Sequence, residues 1–213
     1  MINKYNFFIN ILIIFVAFLP KVVYAEKEFY QNKLNTCVIT KNIIDNYEPE
    51  KFESNNNLLS KQGVAPKYCG YQIIIRGKVL DKNCVPVSNA IVYLWQIGCD
   101  QKYPYTALKN VVNQRWIDLS GKYSFTGSGT AITNNQGEFY FITMYPTKIK
   151  TTPYATVRVH YKDISPVQTK LYFSDKYLIQ DNAQIVEPLQ DFIFNSIVYD
   201  YQIVLPTETS KRY

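Results

Sequence analysis

Six short stretches set what this chain can fold into: YQIIIRGKVL (71–80), AIVYLW (90–95), GEFYFIT (137–143), TVRVHY (156–161), VQTKLYF (167–173) and VYDYQIVL (198–205). Each is rich in β-branched and aromatic residues, and turn-forming runs such as DKNCVPVSN and TNNQG separate them. Nothing of comparable strength carries a 3.6-residue apolar repeat, so no helices are available to cover a sheet, and half-buried strands must cover one another. The expected fold is all-β, a two-sheet β-sandwich. Helix is expected only as a turn or two, either in the N-terminal stretch or between Thr106 and Asp118.

The residues before the first strand divide in two. MINKYNFFINILIIFVAFLPKVVYA places a lysine, an apolar core and a small-residue end in the order of a secretory signal peptide, and its apolar run is short for a bilayer span. Cleavage after Ala25 is expected, with no transmembrane span left afterwards. It would remove Lys4 and Lys21 and no acids, lowering the formal charge from +6 by two, to +4. Residues 26–66 are polar, asparagine-rich and without period, as in DNYEPEKFESNNN, and read as an irregular arm laid over a sandwich spanning 67–205, with 206–213 as a polar tail. The basic residues are scattered, which gives nucleic-acid binding no support.

All four cysteines, Cys37, Cys69, Cys84 and Cys99, lie beyond Ala25. An even number in an exported chain reads as two disulfides, and four cysteines allow three pairings among which sequence does not choose. A zinc site lacks both C-x-x-C spacing and histidines, since His160 is the only one in the chain. Within TVRVHY a period of two puts Val157, Val159 and Tyr161 on one face and Thr156, Arg158 and His160 on the other, a face read as solvent or a polar groove.

Longer segments carry a resemblance. GKVLDKNCVPVSNAIVYLWQIGCDQKY, then FTGSGTAITNNQGEFYFITMYP, then VQTKLYFSDKY and finally YDYQIVL follow one another from Gly77 to about Tyr177 and on to the last strand. The first alone is similar to many sandwich domains of transthyretin or carboxypeptidase-regulatory type. The succession resembles the intradiol ring-cleavage dioxygenases, the catechol and protocatechuate 3,4-dioxygenase family.

That resemblance implies a non-haem ferric ion held by two tyrosines and two histidines, with catechols opened by O₂. Phenolates are hard anionic donors suited to Fe(III). The first family tyrosine follows a strand-ending tryptophan by eight positions, and Tyr103 follows Trp95 in that way. The second belongs to a T-I-x-P-G-x-Y pattern; here Thr143-Met144-Tyr145-Pro146-Thr147-Lys148-Ile149 lacks the glycine and has isoleucine at the phenolate position, leaving Tyr154 or Tyr145 as substitutes.

The family's H-x-H is also incomplete. With His160 as its second member, Arg158 is the first; counted back from Thr169, the pair falls on Pro153 and Ala155. A guanidinium is cationic at any relevant pH and repels Fe(III). Tyr103 and His160 therefore stand as vestigial metal-ligand candidates, and Arg158, Tyr154 and Ile149 as a vestigial pocket, with no catalytic residue assigned. No cofactor is expected, Fe(III) being the one implied if the chain is active.

Three readings follow from the resemblance. One is an exported scaffold with a lost or impaired ferric site and a role in binding a small aromatic ligand or a protein partner. Another is an active Fe(III) dioxygenase with a rearranged site that draws on Asp163 or Asp118. The last is an iron-free partner subunit of a heteromeric dioxygenase.

Overall fold

Side-chain alternation appears as nine strands among the described residues: β1 (Gln72–Leu80), β2 (Ile91–Trp95), β3 (Ser128–Ile132), β4 (Glu138–Met144), β5 (Tyr154–His160), β6 (Val167–Phe173), β7 (Ile185–Val186), β8 (Leu189–Asp191) and β9 (Ser196–Val204). They belong to a computed structural model that describes residues 37–110, 112–147, 152–173, 185–186, 189–191 and 196–209. The expected signal peptide, the first part of the arm, Ile149 and the last residues of the tail lie outside the described residues. The six expected stretches coincide with β1, β2, β4, β5, β6 and β9, and the only helix among the described residues is the single 3-10 turn Gln114–Trp116.

The strands form two sheets, ordered β4-β1-β9-β8 and β3-β2-β5-β6-β7. Pairing is antiparallel except for β1 with β9 and β6 with β7. The expected β-sandwich is thus the observed fold. Its core is the inward half of each alternation, with Ile73, Ile75, Val92, Leu94, Val157 and Leu171 all fully buried. Full burial of such a side chain contributes roughly 1.5–3 kcal/mol. Gly77 sits opposite Phe139 in the β1–β4 register, and a Cβ there would lie 2.3 Å from the ring's Cζ, so the bare backbone makes room for the aromatic ring.

Strand β3, SGTAI, is absent from the sequence reading because glycine, serine and alanine carry little strand preference. Its Gly129 lies in the strand with its backbone close to another surface. The close surface is the arm: a Cβ on Gly129 would come within 2.4 Å of the Asn55 carbonyl oxygen. The arm joins the two sheets at their β3 and β4 edges. Thr130 donates to Asn55, Ile142 donates to Asn56, and Leu58 donates back to Ile142 at 2.8 Å, with the Leu58 side chain fully buried in the core. Residues from Val38 onward form one unit, so this stretch of the arm is a structural layer of the domain.

Disulfide chemistry and a buried turn fix the loops. Cys69 is bonded to Cys99, Cys37 and Cys84 are disulfide-bonded as well, and no cysteine is free. Asp81 is fully buried; its Oδ1 accepts the N–H groups of Asn83 and Val85, and its Oδ2 accepts the N–H and hydroxyl of Thr209. Burial alone would raise its pKa, but the hydrogen bonds from Thr209, Val85 and Asn83 together outweigh burial and hold it below 3.8.

A carboxylate with a depressed folded pKa contributes stability that is present above its unfolded value and lost as pH falls through the folded one. Asp81→Asn is therefore expected to lower stability by about 1–2 kcal/mol at neutral pH, measured by urea unfolding, with the gap closing once the pH drops below 3.8. A gap that persists undiminished in strong acid would contradict the assignment.

Candidate functional site

The outward face of β5 presents Tyr154, Thr156, Arg158 and His160, the residues alternate to the buried Ala155, Val157 and Val159. Its neighbours in register are Trp95 and Lys170 on either side of Thr156, Tyr93 and Gln168 on either side of Arg158, and Tyr172 beside Tyr154. Tyr103 arrives from the loop after β2, fixed by donating its N–H to Trp116 O and accepting at its own carbonyl from Asp118 N. Across this face lies the arm, which carries Asp45, Tyr47, Glu48 and Phe52.

At one end Tyr103, Tyr154 and Asp45 are coupled in series. The Tyr103 hydroxyl interacts with that of Tyr154, and the Tyr154 hydroxyl with the Asp45 carboxylate. Asp45 is only 6% exposed. It also accepts from Tyr47 N at 2.7 Å, Thr156 Oγ1 at 3.1 Å and Trp95 Nε1 at 3.5 Å, and lies 3.8 Å from Lys170 Nζ. Burial, then the charges of Tyr154 and Asp45, push the Tyr103 hydroxyl far above 10. Burial and Asp45 do the same to Tyr154, against a smaller lowering from the bond it accepts from Tyr103. Tyr47 stacks on Tyr103 with ring centroids 4.6 Å apart. A cavity of about 220 Å³ adjoins the pair, lined by Tyr47, Ile97, Tyr103, Trp116, Thr147, Thr152, Pro153 and Tyr154.

The other end of β5 is different. Arg158, read from sequence as a charge on a wet strand face, is covered: it forms an ion pair with Glu48, and its guanidinium lies 5.2 Å from the Tyr93 ring, 5.7 Å from Phe52 and 6.0 Å from Trp95. His160 packs edge-on against Tyr93, and its buried Nε2 has no hydrogen-bond partner among the described residues. Burial and the Arg158 cation lower its pKa below 6.5, partly opposed by Glu48.

This placement separates the two candidate ligands. Tyr103 joins Tyr154 at the start of β5 and His160 ends it, six residues and so about 20 Å of extended chain away. Arg158 likewise belongs to the Glu48 cluster and not to the Tyr103 cavity. In the register that put the H-x-H positions on Pro153 and Ala155, Pro153 lines the Tyr103 cavity. Ala155 points into the core, and the side chains beside Tyr103 and Asp45 are Tyr154 and Thr156. Tyr145 packs instead against Tyr71, Phe173 and Tyr199. Asp163 lies exposed in the turn after β5, and the Asp118 carboxylate accepts from Ser120 N. The acid at the site, Asp45, was missed, and its only sequence signal is company: Tyr47 and Phe52 are isolated aromatics in an otherwise polar stretch.

The donors converging at Tyr103 are two phenol hydroxyls and one carboxylate, oxygen ligands of a kind that ferric ion accepts. Their state does not suit it. Burial and the neighbouring Asp45 charge favour the neutral phenols. The Lys170 ammonium stands 3.8 Å from Asp45 and 4.0 Å from the Tyr154 ring centroid, where it would repel a metal cation. No imidazole reaches them, and among the described residues no three His, Cys, Asp or Glu side chains group as a metal site. The residues present do not fit a two-tyrosine, two-histidine ferric centre.

Asp45→Ala removes the acceptor for Tyr154, Thr156, Trp95 and the Tyr47 amide and leaves Lys170 unpaired. It should cost roughly 3–5 kcal/mol in urea unfolding, while Asp45→Asn costs less. A loss below about 1 kcal/mol for the alanine variant would show that the cluster does not hold the arm.

Comparison with known proteins agrees with this architecture. A family model described as Dioxygenase matches residues 46–197. A chain from Rickettsia felis named "Putative dioxygenase" is 44% identical over 199 residues, covering 90% of this chain and 93% of its own. The protocatechuate 3,4-dioxygenase beta chain of Burkholderia cepacia is 31% identical over 77 residues, 36% of this chain and 30% of that one. Among solved structures, an intradiol ring-cleavage dioxygenase from Tetranychus urticae superposes with a TM-score of 0.59 at 16% identity, over 82% of this chain and 98% of the other, which speaks for the fold. With the family match spanning most of the sandwich and the Rickettsia relative most of the chain, this protein belongs to the intradiol dioxygenase family.

Proposed function

We propose that this protein binds a small aromatic molecule in the cavity beside Tyr103 and does not cleave it, having kept the family's scaffold and lost its ferric centre. The observation that carries this reading is the placement of Tyr103 and Tyr154 beside an Asp45 already engaged by Tyr47 N, Thr156, Trp95 and Lys170, while the single histidine sits at the far end of β5. The cavity suits one ring. At about 220 Å³ it exceeds the roughly 150 Å³ that accepts benzene in an engineered protein. Tyr47 and Trp116 offer aromatic faces, and the Tyr103 and Tyr154 oxygens retain lone pairs to accept from a ligand hydroxyl.

We place the protein outside the reducing cytoplasm. The N-terminal pattern of an export signal and the absence of free cysteines both support this.

The test uses the oxidised chain with ferric iron supplied. Catechol should quench Trp116 fluorescence saturably, the quench should vanish in Trp116→Phe, and catechol, protocatechuate and hydroxyquinol should all leave oxygen consumption at the protein-free rate. Oxygen uptake with any of the three, or no saturable quench, would overturn the reading.

A further inference from the structure

A second cleft, of about 620 Å³, opens beside the same loop and shares no lining residue with the tyrosine cavity: Lys102, Pro104 and Tyr105 line the cleft, and Tyr103 lines the cavity. Its volume lies within the range of small-molecule sites. The floor is buried and partly apolar, with Phe125 at 5% exposure, Thr126 at 6%, Ser128 at 2% and Met144 at 1%. Five lysines line it, Lys51, Lys61, Lys67, Lys102 and Lys122, against three acids, Glu53, Asp100 and Asp118, an excess of two positive charges.

Tracing each charge shows which lysines remain. Glu53 pairs with Lys61 at 3.2 Å. Asp100 accepts from the Lys102 amide and Asp118 from the Ser120 amide, the Lys102 and Lys122 cations both act on the Asp118 carboxylate, and the Lys102 ammonium donates to the Arg115 carbonyl. Among the described residues no salt bridge engages Lys51, Lys67 or Lys122, all of them exposed, with Lys122 5.0 Å from the Tyr123 ring centroid. The walls are fixed in advance. The Cys69–Cys99 bond joins two of them, and Lys67 and Ser124 exchange hydrogen bonds, Lys67 N to Ser124 Oγ at 2.6 Å and Ser124 N to Lys67 O at 2.7 Å.

The kind of cation matters. No arginine lines the cleft, so there is no planar fork to read a carboxylate edge-on. Lysines act as point charges, a mode that suits a phosphate dianion. We propose that this cleft binds a soluble phosphate monoester with a small apolar body, the body against Phe125 and Met144 and the dianionic head among Lys51, Lys67 and Lys122. The inference does not depend on the fate of the ferric site.

Titration calorimetry of the oxidised full chain with butyl phosphate, at about pH 8 where the monoester is dianionic, tests it. Expected are one saturable site, binding about ten-fold tighter than for butanol or inorganic phosphate, and a loss of about ten-fold or more in Lys67→Gln/Lys122→Gln. Lys162→Gln, outside the cleft, should bind as wild type, and saturating catechol should not displace the ligand. Urea unfolding of the double variant should match wild type, because Lys67 is held through its backbone. No binding, equal binding by the folded double variant, displacement by catechol, or a preference for phosphatidic-acid vesicles over butyl phosphate would overturn the proposal.

Discussion

A carboxylate taken out of water survives only if donors surround it, and the Asp45 carboxylate is surrounded from four parts of the chain. Trp95 comes from β2, Thr156 and Tyr154 from β5, Lys170 from β6, and the Tyr47 amide from the arm itself. That convergence sets where the arm lies across the outer face of the β3-β2-β5-β6-β7 sheet, and two further features follow from it. Tyr47 is placed on Tyr103, and Glu48 is placed over Arg158, whose cation would otherwise face solvent. Desolvating so many polar groups is offset only because nearly all of them find partners within the cluster.

Much of the fold was legible because β-branched and aromatic residues at a period of two state both a strand and its buried face. Val157 and Val159, fully buried, lie on the side the alternation assigns. Strand β3 was not legible, since SGTAI carries little preference of its own and is held by pairing with β2 and by the Asn55 backbone beside it. Tyr103 could be located by its spacing from Trp95, which is local. Asp45 could not, because its meaning depends on Thr156, 111 residues away. Arg158 was misread for the same reason: the alternation gave the correct face, but the cover over that face comes from an aperiodic segment.

Fold and candidate site rest here on different residues. The family's sandwich depends on inward side chains and on close approaches such as Gly77 under Phe139, and these are intact. The candidate site lies instead on outward positions at the start of β5. At those positions stand a tyrosine, a threonine and a lysine neighbour, tied to an acid from the arm. A scaffold preserved to this degree carries no assurance that its activity was preserved with it. The site holds a tyrosine-lined cavity whose one nearby acid is already engaged by donors, which favours holding a ligand over polarising one.

The most direct measurement is the iron content of the purified, refolded chain after ferric loading and gel filtration, read with its visible spectrum. With Tyr103 and Tyr154 protonated and Lys170 in place, the account predicts iron far below one equivalent and no phenolate-to-iron absorption band. One tightly held ferric ion per chain with that band present would contradict it.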